Sequence, residues 1–401
     1  MNEIEIPIWF YRRIQLLQNY KCIESLRAYM AWWVVMSHMF GIVGLYDTGN
    51  YFLNLPIKLI TWSGMPVNIF IIISGFVITH LYLGKRESYS PYILRRFFRI
   101  FPIYIFCLFV AISLENLRQF VYTDISFIPD KTSLIASFAA QHENFWPHLL
   151  LHLTMLHGLV PDSVLPYSTS IFLGPAWSLS LEWQFYVLAP IIIGLMARGI
   201  APMLCTALVL YLLGVLANSG VMGKWDYPAF LLLSIKYFLI GILSRLMIEK
   251  FKQSKKLWEL PIVVAITFAL ANVIESAIWI CFFVIALTES KRIANVPNVF
   301  QKILNIFVLN NIVGNLGKWS YSTYLIHIPL LMLIIGGLGK TFGTDFISLK
   351  VLVSMLLASI PVIIAVSWLL YSTIEVGGIN FGKKVSTYVN STVFRRPSAS
   401  L

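Results

Sequence analysis

The sequence predicts an all-α integral membrane protein with about ten transmembrane helices around a polar pore and one extra re-entrant or interfacial segment. Three observations predict it. Of the 401 residues 58% are hydrophobic and 12% charged, and the mean hydropathy of +0.77 exceeds what a water-solvated surface permits. Apolar stretches long enough to span a bilayer recur from about residue 28 to residue 373, where a soluble chain would show polar faces at regular intervals. The formal charge of +12, from 30 Lys and Arg against 18 Asp and Glu, gathers at the ends of those stretches. That is the pattern of positive-inside loops rather than of a nucleic-acid surface.

Placing each span between polar or Gly/Pro-containing breaks gives 28–46, 60–83, 97–114, 176–197, 200–217, 228–248, 257–272, 273–288, 319–338 and 347–373. The pair 257–272 and 273–288, around Asn272 and Glu275, reads either as two short spans or as one long tilted helix. Residues 145–160 are short and carry His148, His152 and His157, which are costly against lipid. If they crossed, the run Lys250, Lys252, Lys255 and Lys256 would fall on the outside, so an interfacial or re-entrant segment fits better. Arg12, Arg13, Lys21, the group Lys85 to Arg99, Arg198, the lysine run, Lys291, Arg292 and the tail from Lys383 to Arg396 then share the cytoplasmic side, with 115–175 outside.

The domains expected are a cytoplasmic N-terminal segment over 1–25, a ten-span membrane domain over 26–376 and a basic cytoplasmic tail over 377–401. Residues 1–25 lack a cleavable apolar region, so the first span is expected to stay in the mature protein. Cys22, Cys107, Cys205 and Cys281 stand far apart without metal-ligand spacing and read as packing residues. No internal repeat suggests duplicated halves.

The chemistry-bearing residues lie in and beside the spans. Arg27 stands at the cytoplasmic border of the first span and His38 eleven residues deeper. Eleven helical steps return to nearly the same face, about 16 Å further along the axis. The pair reads either as an anion clamp below a titratable base or as a topology marker and a hydrogen-bonded structural histidine. Arg95, Arg96 and Arg99 crowd the mouth of the third span, Arg96 and Arg99 on one face. They suit bidentate phosphate binding, topology or lipid head groups. The run Pro175-Ala-Trp-Ser-Leu-Ser-Leu-Glu-Trp-Gln-Phe-Tyr-Val-Leu-Ala-Pro190 puts Ser178, Ser180, Glu182 and Gln184 in the first turns of a span. A carboxylate there either meets the helix N-terminus favourably or orients and deprotonates a neighbour.

Five motifs in order, namely Arg27 with His38, Gly64-Met-Pro-Val-Asn-Ile-Phe-Ile-Ile-Ile-Ser-Gly-Phe76, Arg95-Arg-Phe-Phe-Arg-Ile-Phe-Pro102, the Trp-Ser-Leu-Ser-Leu-Glu run, and Leu316-Gly-Lys-Trp-Ser-Tyr-Ser-Thr-Tyr-Leu-Ile-His-Ile-Pro329, resemble membrane acyltransferase family 3. The resemblance spans roughly residues 21–376. It implies transfer of an acyl group, usually acetyl from acetyl-CoA, to a hydroxyl of a surface glycan such as lipopolysaccharide O-antigen, capsule, exopolysaccharide, lipochitooligosaccharide or peptidoglycan. It implies about ten spans in the bacterial inner membrane with both termini cytoplasmic. By residue, it makes His38 the essential histidine, Arg27 its partner, and Arg96 with Arg99 a donor-binding pair. Ser74, Gly75 and Phe76 match a Ser-Gly-Phe motif suited to close helix packing around the pore. Family members often carry Asp where Asn68 stands.

The expected scheme sets CoA phosphates on Arg96, Arg99 and Arg27, with His38 as base or transient acyl carrier and Glu182 as a second catalytic residue. Ser74, Ser178, Ser180 and His327 are the expected pore or acceptor positions. His327 reads either as a pore residue or as a helix-packing group, and His80 as an interfacial, snorkelling residue. His148 and His152 share an i,i+4 spacing, but no carboxylate motif completes a metal site, and none is expected. Acyl-CoA is a substrate rather than a resident cofactor. The expected partners are the glycan or lipid-linked sugar and membrane lipid, with no nucleic acid. No C-terminal esterase-like domain is expected, since few residues follow Glu375. Acceptor choice is assigned to the outer region through Asp124, Asp130, His142, Glu143, Phe145 and Trp146. The rival reading is a transporter or flippase whose polar residues line a path.

Overall fold

A bilayer offers the backbone no water, so each N–H and C=O in an apolar span must be bonded within its own segment, and the apolar runs answer with helices. The computed structural model describes residues 20–44, 51–84, 87–290, 292–293 and 297–393, and no strand occurs among them. The helices are α1 (Lys21–Val43), α2 (Tyr51–Thr61), α3 (Gly64–Gly84), α4 (Tyr89–Ser113), α5 (Glu115–Phe120), α6 (Thr132–Glu143), α7 (Phe145–Leu153) and α8 (Trp177–Met196). They continue as α9 (Ile200–Asn218), α10 (Leu231–Lys250), α11 (Glu259–Leu270), α12 (Val273–Glu289), α13 (Asn298–Phe307), α14 (Asn311–Phe342), α15 (Leu349–Leu370) and α16 (Val376–Val393). Expectations resting on Arg12, Arg13, Lys85, Lys291 and Arg396 lie outside the described residues.

Seven helical runs among the described residues are long and apolar enough to cross a membrane, namely α3, α4, α8, α9, α10, α14 and the run from α15 into α16. The other three expected spans coincide with helices of a different character. The first, α1, carries Arg27 and His38, while α11 and α12 have 12 and 17 residues. The doubtful segment 145–160 holds the nine-residue α7, about 13 Å long and too short for a hydrocarbon core of about 30 Å.

The chain divides into two compact units. One comprises residues up to Met30, Asn68–Lys85 and Lys236–Lys318. In it α3 and α10 approach so closely that a Cβ on Gly75 would sit 2.5 Å from the Phe238 carbonyl oxygen, and one on Gly241 2.1 Å from that of Ile72. The Ser-Gly-Phe segment is therefore a helix-packing device, with Phe76 edge-on to Trp279 at 5.7 Å. Because the obstructing atoms are backbone, Gly241→Val is expected to force the helices apart at a cost of about 1–3 kcal/mol or more. The check is loss of the monodisperse peak of the detergent-solubilised protein in size-exclusion chromatography.

Within this unit α11 and α12 are two helices, not one. Asn272 accepts from the backbone of Ile274 and Glu275 at 3.0 and 2.9 Å, and the Glu275 carboxylate accepts from Asn272 N–H at 3.2 Å. This reciprocal cap starts a new helix. His80 corrects an expectation, since it is 9% exposed and does not snorkel. Arg245 Nε donates to its Nδ1 at 3.0 Å, so a buried partner from a distant helix satisfies it. Arg292 binds Glu259 at 2.6 Å and the Lys252, Ser254 and Lys256 carbonyls, which fastens the lysine-rich loop.

The other unit comprises Ala31–Val67, Arg86–Ile235 and Trp319–Leu401. Here α2 is tied to α1 by Trp33 Nε1, donating to the Leu59 carbonyl at 3.1 Å, and by Ser37 Oγ, donating to Thr61 O at 2.9 Å. Residues expected to begin a polar tail at 377 are helical to Val393. They pack on α4, where Phe98 and Phe381 meet edge-on at 5.0 Å.

Candidate active site

α1 and α14 each bring one histidine to the same place. The rings of His38 and His327 lie 5.2 Å apart, tilted by 36°. His38 is half-buried and so reachable, whereas His327 has no exposed surface. His327 Nδ1 lies 3.1 Å from the carbonyl oxygen of Thr323. A carbonyl can only accept, so Nδ1 carries the proton and Nε2 presents a bare lone pair. That Nε2 is buried without a hydrogen-bond partner. A neutral imidazole in this tautomer can accept an N–H from its neighbour and leave the neighbour's other nitrogen as a base, the role that an orienting group plays in a catalytic triad.

One turn back along α14, Tyr324 links this pair to α8. Its hydroxyl donates to Pro175 O at 2.9 Å and lies 2.9 Å from Ser178 Oγ, and its ring stands 6.3 Å from His327. Ser178 is thus drawn toward the histidines. One helical turn along α8, Tyr186 donates a short hydrogen bond to Glu182, and the Arg96 guanidinium lies over the Tyr186 ring at 5.9 Å. Arg96 Nε is buried without a partner. Arg99 follows one turn further along α4. Arg95 is engaged with Glu87 and Ser386.

Three predicted residues make other contacts or belong to the other compact unit. Arg27 shares α1 with His38 but pairs with Glu24 at 3.7 Å and belongs with Ser74 to the other compact unit. Ser180 is fully buried, and its hydroxyl donates to Met155 O at 2.7 Å and accepts from Gly158 N–H at 3.0 Å, so it fastens a loop. Sequence reasoning passed over Tyr186 and Tyr324. The signal for Tyr324 was the spacing Tyr321-Ser-Thr-Tyr-Leu-Ile-His327, which repeats a polar aromatic every three residues along one helix stripe.

The histidines near α7 form a separate buried cluster. His152 and His157 stack at 4.1 Å and 5°, and burial holds the His157 pKa down at about 4, so the stacked ring is neutral near pH 7. Among the described residues no group of three or more His, Cys, Asp or Glu is placed to hold a metal ion.

The geometry is that of an imidazole centre inside a helical membrane protein, and comparison with known proteins supplies the family. The family model described as an acyltransferase domain, acyltransferase 3, matches residues 20–372. The chain belongs to the acyltransferase 3 family. A relative, "Nodulation protein 10" of Rhizobium leguminosarum bv. viciae, is 25% identical over 343 residues, covering 79% of this chain and 84% of that protein. No solved structure matches. In this membrane acyltransferase the matched region contains every residue of the cluster described above, from His38 on α1 to His327 on α14.

Proposed function

We propose that this acyltransferase transfers an acyl group, acetyl in the simplest case, from acyl-CoA to a hydroxyl of a surface polysaccharide or glycolipid sugar, with His38 as the general base. The observation that carries the reading is the pairing of a reachable His38 with the buried, tautomer-fixed His327. His38 takes the proton from the acceptor hydroxyl as its oxygen attacks the thioester carbonyl. The C–O bond forms, the C–S bond breaks, and the CoA thiolate leaves with a proton returned from the imidazolium. An acyl-imidazole route uses the same atoms in two steps. Arg96 and Arg99 suit the phosphates of the donor, and Ser178 with Tyr324 suits the acceptor hydroxyl.

The test is transfer of labelled acetyl from acetyl-CoA to glycan by membranes containing the protein. A transporter or flippase would move its substrate unmodified, and unlabelled glycan would sink the reading. Arg96→Lys keeps the charge but loses the planar fork and the contact with Tyr186. It is expected to raise the KM for acetyl-CoA about tenfold, equivalent to the ~1.4 kcal/mol of one charge-assisted hydrogen bond, with kcat less affected. Steady-state kinetics over a donor series checks it.

A further inference from the structure

Two loops of the larger unit, residues 160–173 and 219–230, are laid against each other by Asp162 N–H, which donates to Lys224 O at 2.8 Å. Gly223, at φ +118, fits against the Pro161 ring, where a Cβ would sit 2.7 Å from the proline Cβ. Non-glycine residues at positive φ, Tyr167 at 58° and Phe172 at 60°, hold the first loop in a strained form typical of ligand sites. The Asp162 carboxylate accepts from the Tyr167 and Asp226 backbone, and burial together with the neighbouring Asp226 pushes its pKa up to about 6. Asp226 accepts from Ser170 Oγ at 3.3 Å. Beside the carboxylates stand two aromatic stacks, Trp177 on Tyr227 at 5.7 Å and Trp225 on Phe230 at 5.2 Å. Trp177 is 6% exposed and Tyr227 41%, so the outer member of the first stack faces outward.

Closing the loops explains the backbone bonds but not what remains. Asp162 Oδ1, Thr169 Oγ1 and Trp225 Nε1 are buried without partners, and Thr169 as a whole is 1% exposed. An acceptor, a hydroxyl and an N–H donor left unmatched on two touching loops call for a ligand that both donates and accepts. A cation would satisfy the carboxylates and be repelled by the indole N–H. A sugar both donates and accepts through its hydroxyls, and its apolar ring face suits the exposed Tyr227 beside the exposed Asp226.

We propose that these loops form an acceptor subsite for neutral or amino-sugar units, with Asp162 and Asp226 accepting from sugar hydroxyl or ammonium groups and Tyr227 stacking on the ring. Facing carboxylates disfavour uronic acids. Trp177 of the stack precedes Ser178, whose hydroxyl meets Tyr324 one turn from His327, so the subsite borders the reactive centre. For the identity of the bound sugar as acceptor, the proposal rests on the transfer reading above.

The test uses the full-length protein in lipid nanodiscs, free of sugar detergents, with chitotetraose, maltotetraose and tetragalacturonate as probes in saturation-transfer NMR and intrinsic-fluorescence titrations. Chitotetraose or maltotetraose is expected to bind in preference to tetragalacturonate. Asp226→Asn and Tyr227→Ala are expected to weaken binding about tenfold each, about 1.4 kcal/mol, with Tyr227→Trp restoring it and acetyl-CoA binding unchanged. Both positions are exposed, and unchanged acetyl-CoA binding reports that the variants are folded. Absence of binding by either neutral probe, preference for the uronate, variants that bind as the wild type does, or binding that requires calcium and is lost in EDTA would each overturn the proposal. Sugar binding without acetyl transfer would sink the transfer reading and leave the subsite standing; transfer with an unaltered acceptor KM in both variants would do the reverse.

Discussion

His38→Ala is expected to abolish acyl transfer to the glycan, by about 10²–10⁴-fold in kcat, the range that a positioned general base contributes, at unchanged expression and unchanged donor binding. The companion variant separates the two imidazoles. His327 has no exposed surface and cannot reach the substrate unless the core opens, so the proposed scheme gives it the part of orienting His38. His327→Gln, whose amide oxygen can still accept an N–H, is expected to retain more activity than His327→Leu, which fills the volume but leaves His38 without an acceptor. A merely structural role for His327 predicts the opposite order, because Leu suits an apolar helix interface and Gln does not. Single-turnover acetylation in membranes, normalised to protein by quantitative immunoblot, reads the order directly. Full activity of His38→Ala would end the scheme.

The helical membrane fold was legible because a run of apolar residues bounded by charge admits few structures in lipid. Its count was less legible. The first span buries its apolar residues while keeping Arg27 and His38, and the break at Asn272 depends on a local cap rather than on hydropathy. That cap was readable in principle, since Asn272 followed by Glu275 at the third position is a helix-start signature. α2 and α13 were missed as amphipathic pieces between spans. The site was half legible. Each span announces its ionisable residue, because a polar group is costly there, but not the residue's partner. His38 and His327 are separated by most of the chain, so their pairing is a property of packing that no local pattern encodes. The same reason explains His80, which looked interfacial until Arg245 from α10 was seen to bond it.

The second large effect concerns Asn68 on α3. Its side-chain amide donates to Glu275 Oε1 at 2.6 Å and to the Tyr237 hydroxyl at 2.9 Å, and Glu275 has no exposed surface. Asn68→Asp replaces that donor with an acceptor, so two carboxyl groups face each other in an apolar interior and must share a proton or separate. Loss of a buried polar partner of this kind costs about 3–5 kcal/mol, and the variant is expected to lose most of its folded fraction in detergent. The amide at 68 and the carboxylate at 275 therefore form one matched unit. The matching can be inverted. In Asn68→Asp with Glu275→Gln, the glutamine oxygen still accepts from Asn272 N–H while its amide donates to the new aspartate, and Tyr237 can turn its hydroxyl proton toward it. The double variant is expected to regain most of the lost stability, and Glu275→Gln alone to be milder than Asn68→Asp. Thermal unfolding followed by intrinsic fluorescence closes the cycle. Additive losses in the double variant would show that the two side chains are uncoupled and that the bond between them is not what stabilises the junction of α3 with α12.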